Sequence, residues 1–432
     1  MKHNGFKFRT FSKKQRQVLN FWTEDSPVKD KAGIIADGAI RSGKTTAMSL
    51  SYVAWAMANF SGENFAICGK TIKSCKRNVL TPLYKMLYSR GFAFDIHRAD
   101  SMIEISYGGH TNFFYVFGGK DEASQDLIQG ITLAGCFFDE VALMPESFVN
   151  QAAARCSIEG SKLWFNCNPS SPYHYFKKEW IDKAKLKKLL YLHFTMDDNL
   201  TLSEAKKQEY INLYTGVFFK RYIEGLWVSA EGLIYDMFNE DIHVIDVSKS
   251  TMKYVGIPFV SCDYGTQNAT VFLLWQRGLD NKWYITREYY YSGRDVSEAG
   301  VPNRQKTDSE YADDLIKWLD GTKISGIVVD PAAASFKIEL QKRGFRVVNA
   351  KNQVIDGIRA VSTALQEEKL FIDKSCKETI KEFAGYVWDE KAAERGEDKP
   401  VKVADHCMDA LRYGYMQTLQ NITKIRRKPR SF

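Results

Sequence analysis

Two groups of residues in this sequence have the types and spacing for phosphate chemistry. The first is Gly38-Ala39-Ile40-Arg41-Ser42-Gly43-Lys44-Thr45, which fits G-x-x-x-x-G-K-[ST] in full. Such a loop points its backbone N–H groups around a polyphosphate, and Gly38 and Gly43 permit the tight turn. Lys44 would bridge the β and γ phosphates of ATP, and the Thr45 hydroxyl would hold Mg²⁺. Ser42, Gly43 and Thr46 belong to the same nucleotide-binding run. Further on, the apolar run Leu133 to Phe138 closes on Asp139 and Glu140. An aspartate there suits the Mg²⁺ shell, and a glutamate beside it can orient and deprotonate the attacking water. Another apolar run from Leu163 ends in Asn166, Cys167, Asn168 and Pro169. Asn166 and Asn168 would sense the γ-phosphate or the lytic water; an Asx turn before proline is the competing reading.

The second group is made of acids far apart in sequence. Asp263 ends one apolar run, Asp330 ends another, and Asp409 lies near the start of the last helical stretch. Carboxylates brought together cannot all stay ionised unless divalent cations bridge them. Two Mg²⁺ or Mn²⁺ ions roughly 4 Å apart would activate water and stabilise the leaving oxygen of a phosphodiester. Asp405 and Asp409 are an i, i+4 pair. Asp405 sits where the helix starts and is read as its N-cap, which leaves Asp409 as the ligand. His406 shares a face with Asp409, as a ligand, as a tuning partner, or with no such role. Glu288 is held in reserve as a fourth ligand against the alternative of an exposed strand residue.

These residues need a scaffold. Ile34 to Ala36 reads as the strand entering the loop and Met48 to Phe60 as the helix leaving it. Phe11 to Trp22 reads as a helix opened by Ser12, with Gln15 the candidate reader of adenine and Gln17 its competitor. Strands are expected at Phe65–Cys68, Met102–Ser106 and Phe113–Phe117, with a helix from about Ser74 to Gly91. Lys177 to Lys188 reads as a solvated helix, and Phe218 to Phe238 as the close of the first domain. From Val255 the pattern restarts. Three strands in a meander are followed by a helix at Asp308–Asp320, a strand at Ile324–Asp330, a helix, a short strand at Phe345–Val348, another helix and a closing helix. The expectation is an α/β protein: a P-loop ATPase domain with a mainly parallel sheet over residues 1–240, a polar linker over 241–252, and a ribonuclease H-like nuclease domain over 253–432.

Composition agrees with this division. A chain of 432 residues is too long for one core, and 44% hydrophobic and 13% aromatic residues can fill two. Sixty Lys and Arg against 52 Asp and Glu give a formal charge of +8, which permits a polyanionic partner. The tail Lys424 to Arg430 concentrates that excess, as a solvated tail or as a DNA or partner contact. The eight cysteines show no C-x-x-C pair or metal-like spacing, which points to reduced thiols in a cytosolic compartment. No run of about 18 apolar residues exists, so no membrane span is expected.

GAIRSGKT, FFDE, FNCNP, CDYGT, VDPAAASF and DHCMDALRYG together make the chain, from Phe11 to Tyr415, resemble the large terminase subunit of tailed double-stranded DNA bacteriophages. The last three look most like the headful-packaging branch in phages and prophages of Gram-positive bacteria. The resemblance implies a motor in the host bacterial cytoplasm that hydrolyses ATP, threads DNA into a procapsid and cuts the concatemer. It implies as partners double-stranded DNA, a small terminase subunit that chooses the site, the portal protein, and further copies in a homo-oligomeric ring. It makes Arg41 a γ-phosphate contact, Asp139 and Glu140 the Walker B pair, and Asn166 to Pro169 the coupling segment. Asp263, Asp330 and Asp409 become the nuclease acids, with His406 beside them. Some relatives place an arginine finger where Gln129 precedes Gly130 here, so Arg155 is the substitute candidate. The charged stretch Glu390 to Pro400 is a candidate gate over the acids. Against this stand three other readings: a cellular ATP-dependent nuclease or translocase, a DDE-type recombinase, and a non-enzymatic ATP-binding assembly scaffold.

Overall fold

Unbroken apolar runs are the signature of strands buried on both faces, and the first half of the chain is built on them. In the computed structural model, which describes residues 6–249, 252–265, 268–293 and 304–425, the chain divides into two compact units. One comprises Met1–Ser229 with Glu394–Glu397, the other Ala230–Ala393 with Asp398–Phe432. The basic tail beyond residue 425 lies outside the described residues.

The first unit holds eight strands: β1 (Gly33–Gly38), β2 (Asn64–Gly69), β3 (Ala93–His97), β4 (Met102–Tyr107), β5 (His110–Gly118), β6 (Gly135–Phe138), β7 (Lys162–Asn166) and β8 (Leu189–Phe194). They lie in the order β3-β4-β5-β2-β6-β7-β1-β8. β3 to β5 pair antiparallel, and every other neighbouring pair is parallel. Every residue of β1 and β6 is buried. The helix after the loop spans Lys44–Asn59. It starts inside the motif rather than at Met48, because Gly43 takes a left-handed conformation (φ 84°) and serves as its N-cap. Tyr52 and Trp55 on this helix pack against Trp164 of β7, with ring centroids 5.2 and 4.7 Å apart. Burying aromatics of this size supplies much of the core's apolar area.

Departures from the sequence reading have local causes. The expected helix over 74–91 is broken into Ile72–Cys75, a π turn at Lys76–Leu80, and Thr81–Tyr88. Pro82 supplies no N–H to the regular ladder there. Of Lys177–Lys188 only one π turn, Lys177–Ile181, is helical, and Trp180 and Ile181 are buried rather than solvated. β3 and β8 are the two edges of the sheet; β3 is mostly exposed with a weak apolar pattern, whereas β8, LLYLHF, is an apolar run that the sequence reading passed over.

The second unit holds β9 (Val244–Ile245), β10 (Tyr254–Asp263), β11 (Thr270–Gly278), β12 (Trp283–Tyr291), β13 (Ile327–Val329), β14 (Val347–Asn349) and β15 (Leu370–Asp373), in the order β14-β13-β10-β11-β12-β15-β9. β10, β11 and β12 form the antiparallel meander, and the remaining pairs are parallel. The five strands β14 to β12 have the ribonuclease H-like order. β15 and the helix Lys377–Gly385 were not anticipated. The stretch read as a linker, 241–252, carries most of the helix Glu240–His243 and strand β9, which pairs with β15 in this unit's sheet.

The closing helix, His406–Ile425, lies against β10 and β11. Gly414 permits that approach: a Cβ there would stand 2.2 Å from the Trp275 ring, whose Nε1 donates to Ser261 Oγ at 2.8 Å. The helix is thereby seated with its N-terminal turn at the end of β10, where Asp263 lies.

Candidate functional site

In the first unit the order β6-β7-β1 sets three strand ends side by side. Ligands gather at the carboxyl ends of such parallel strands. β6 delivers Asp139 and Glu140, β7 delivers Asn166 and Asn168, and β1 delivers the loop from Gly38 to Thr45. Thr45 Oγ1 donates to Asp139 Oδ1 at 3.0 Å, and Asn166 Nδ2 donates to the same oxygen at 2.9 Å. Asn166 Oδ1 accepts from the Glu140 N–H at 2.9 Å, so one asparagine fixes both acids. Lys44 Nζ donates to the carbonyls of Gly38 (3.0 Å) and Ala39 (2.6 Å), to Ser42 Oγ (3.1 Å) and to Asn168 Oδ1 (3.3 Å). The Asx-turn alternative for the two asparagines is thus displaced by side-chain contacts across the site.

These groups face a cavity of about 540 Å³, whose wall includes Thr46, Tyr210 and Tyr214. Arg41 lies on its rim, its guanidinium 5.2 Å from the Tyr210 ring centroid. Arg41 (φ 56°) and Glu140 (φ 58°) both have left-handed backbones, strain that concentrates at functional sites. Burial pulls the Lys44 ammonium down to about 8. Burial pushes Asp139 up, opposed by the hydrogen bonds from Asn166 and Thr45. Glu140 is raised by burial and by the charge of Asp139. A buried ammonium with only neutral acceptors, at a helix start, fits a polyphosphate that would restore its charge.

Other residues fall elsewhere. Gln15 does not line the cavity: its Oε1 accepts from Ser12 N in a capping box, and its amide nitrogen lies against Gly43. A residue at the third position of a helix opened by serine is drawn into that box, which here holds the Gln15 amide beside the phosphate loop. Gln17 lines a separate surface groove. Gln129 is exposed and donates to Asp126, while Arg155 lies at the opposite end of β6 from Asp139, its carbonyl accepting from Leu133 N. Arg155 therefore does not reach the loop of its own chain. One residue the sequence reading passed over is Asp37, the fully buried acid just before Gly38. Its carboxylate pairs with His193 Nδ1 at 3.0 Å and accepts from Trp227 Nε1 at 2.7 Å. A polar residue inside an apolar strand was the available signal.

In the second unit a cavity of about 830 Å³ is lined by Asp263, Asp330, Asp405, His406, Asp409 and neighbours. The sequence reading brought Asp263, Asp330 and Asp409 together, and all three face this cavity. Among the described residues, however, no three His, Cys, Asp or Glu side chains are grouped closely enough to hold one ion. Each acid is engaged by a protein group instead. Asp263 Oδ2 pairs with His406 Nδ1 at 3.0 Å. Asp330 accepts from the Tyr413 hydroxyl and from Ala332 N, both at 2.7 Å. Lys402 Nζ lies 2.9 Å from Asp405 Oδ2 and 3.2 Å from Asp409 Oδ2, and the buried Arg412 pairs with Asp409 Oδ1. Like charges separate unless a cation stands between them, and Lys402, Arg412 and His406 fill that role. Burial pushes Asp263 up to about 6 against the pull of His406, and that pairing raises the His406 imidazolium in turn.

Four carboxylates and an imidazole around one cavity are a donor set suited to Mg²⁺ or Mn²⁺. The Lys402 ammonium between two of them shows that this point tolerates a cation.

Two assignments change. Asp405 occupies the N-cap position but does not cap. The N–H groups of Cys407 and Met408 donate to Glu382 Oε2, at 2.8 and 3.1 Å, and the Asp405 carboxylate turns to Lys402 and the cavity. A better-placed acid from the helix Lys377–Gly385 has taken the capping role. Glu288 is neither ligand nor exposed: it accepts from Glu378 N (3.1 Å), Thr379 N (2.6 Å) and Thr379 Oγ1 (2.6 Å), capping that same helix. The stretch 390–400 is pinned at its base by the Trp388–Pro400 bridge and does not line the cavity. The rim near the last acids is formed by Lys402, Val403 and Ala404. Among the described residues, no helix is long and apolar enough to cross a membrane.

The family described as terminase large subunit, T4likevirus-type, N-terminal, matches residues 35–242. The large terminase of a thermophilic bacteriophage superposes with a TM-score of 0.88 at 57% identity, covering 95% of this chain and 100% of that one. The structure of that same terminase in complex with ADP matches at 56% identity and a TM-score of 0.85, over 95% of this chain and 100% of that one. The large terminase subunit of Escherichia phage T5 is 25% identical over 331 residues, 73% of this chain and 71% of its own length.

Proposed function

The chain belongs to the bacteriophage large terminases, and we propose that it is an ATP-driven DNA-packaging motor that also cuts DNA. The observation that carries this reading is the presence, in one chain, of a Lys44–Thr45–Asp139–Asn166 phosphate site and a separate five-donor acid cavity. The thermophilic phage terminase, described in complex with ADP and with ATP-gamma-S, supports ATP as the nucleotide.

In the ATPase half, Lys44 and the loop N–H groups bind the phosphates, with Arg41 and Ser42 alongside. Thr45 and Asp139 would hold Mg²⁺. Glu140 takes the proton of the attacking water, its raised basicity set by burial. Asn166 holds the Glu140 backbone and Asp139 together, and Asn168 contacts Lys44, so β7 registers the state of both. That is the physical basis for coupling hydrolysis to movement.

In the nuclease half, Asp263, Asp330 and Asp409, with Asp405 and His406 adjacent, would hold two Mg²⁺ or Mn²⁺ ions. Bound there, divalent ions supply charge stabilisation for phosphodiester hydrolysis. The chain's own part is orientation: Tyr413 fixes Asp330, Arg412 fixes Asp409, and His406 fixes Asp263. Translocation needs a grip on phosphates of any sequence, which lysines and arginines supply with steep salt dependence. The reading extends to the headful-packaging branch, supported by CDYGT, VDPAAASF and DHCMDALRYG. It includes a small terminase subunit, the portal protein and a homo-oligomeric ring as partners in the host bacterial cytoplasm.

The test uses the full chain with plasmid DNA, Mn²⁺ and ATP. Expected are metal-dependent cutting lost in Asp263→Ala and DNA-stimulated ATP hydrolysis lost in Lys44→Ala. Hydrolysis without any cutting would leave a pure translocase, and strand-transfer products would point to a recombinase.

A further inference from the structure

The geometry points to Glu382 as the positioning residue that keeps Asp405 turned toward the acid cavity; this rests on the nuclease reading above. The helix His406–Ile425 begins immediately after Asp405. An aspartate at that position ordinarily folds its carboxylate over the second and third N–H groups of its own helix. Here those two groups, on Cys407 and Met408, donate to Glu382 Oε2 at 2.8 and 3.1 Å. With the cap supplied from another helix, the Asp405 carboxylate pairs with Lys402 and lines the cavity.

Glu382 itself touches no cavity surface. It is 5% exposed and sits on the helix Lys377–Gly385, whose own start is held by Glu288 of β12. Two acids with no place in the cavity thus run in series from the central sheet to the helix that carries His406 and Asp409. The backbone just before Asp405 is also constrained, since Ala404 is left-handed with φ 48°. The chain there has two low-cost states for one carboxylate: in the cavity while Glu382 caps, or on its own helix when Glu382 is gone.

The consequence falls on the metal requirement. In the full chain, Glu382→Ala should raise the Mn²⁺ concentration for half-maximal plasmid cutting about tenfold, as Asp405→Ala should. The double variant should be no worse than either single, because both remove the same carboxylate from the cavity. Glu382→Gln retains an acceptor oxygen and should stay within twofold of the unaltered chain. ATP hydrolysis should not change in any variant, and thermal melting reports folding. Additive single effects, or a folded Glu382→Ala with an unaltered Mn²⁺ requirement, would overturn the inference. So would a tenfold loss in Glu382→Gln, which keeps the chain testable if the alanine variant does not fold. An unaltered chain that fails to cut with Mn²⁺ would overturn the nuclease reading, and this inference with it.

Discussion

At the phosphate loop the cation is surrounded by neutral oxygens; in the acid cavity the acids are surrounded by cations. Lys44 rests on carbonyls, a hydroxyl and an amide, all weaker partners than a phosphate. Asp263, Asp405 and Asp409 rest on His406, Lys402 and Arg412, each already a charged or chargeable partner. The first site comes from one short segment plus two neighbouring strand ends. The second is gathered from four segments, and its geometry depends on caps outside it. A dispersed site inherits the fragility of every element that delivers a residue.

The largest effects should separate the two sites cleanly. Lys44→Ala should lower ATP hydrolysis on the order of 10³-fold while leaving Mn²⁺-dependent cutting within about twofold, measured on one preparation. Asp263→Asn should do the reverse, removing plasmid cutting by a similar factor and sparing hydrolysis. If either variant silenced both activities while still folded, the sites would not be independent. A smaller effect is expected from Asn166→Ala, which frees both Asp139 and the Glu140 backbone: hydrolysis should drop by about 10²-fold with nucleotide affinity nearly kept.

The pH response should sharpen the contrast further. Burial lowers Lys44 to about 8 in the folded chain, below its unfolded value, so it loses its proton as pH rises through about 8. Over that range the empty first unit gains stability from this group while affinity for ATP falls. Nucleotide phosphates restore the charge, so calorimetry near pH 8 in buffers of different ionisation enthalpy should show proton uptake on binding. No uptake would mean that Lys44 stays charged at its carbonyl cradle. The smallest effect should come from Trp227→Phe, which removes one donor from buried Asp37 and should cost about 1–3 kcal/mol of first-unit stability in denaturant melts.

The contrast also explains what could be read from the chain before folding. The phosphate loop, Asp139–Glu140 and the asparagines are contiguous runs with a fixed order, and all converge on one cavity. The acids at 263, 330 and 409 were legible because each ends or begins a clear element. What the sequence could not convey was competition among partners. Asp405 was assigned the cap because its position favours it, but Glu382, distant in sequence, occupies that role. Gln15 was drawn into a capping box, and Glu288 into the start of another helix. Edge strand β3 escaped because three of its five residues are exposed, which blurs the apolar pattern.

The Asp37 contact with Trp227 has a consequence for where the polypeptide can be divided. Ile40 N donates to Tyr222 O at 2.8 Å, and a side chain at Gly225 would collide with Ala39 N at 2.9 Å. The root of the nucleotide loop is therefore finished by residues 222–227, long after the strands of its sheet. A ribosome that has released residues 1–214 has made every strand of this sheet but left buried Asp37 without its Trp227 donor. An ATPase fragment ending there should melt early or aggregate, whereas one extended through Ser229 should fold. For this half of the protein, translation finishes the structure only as it begins the next.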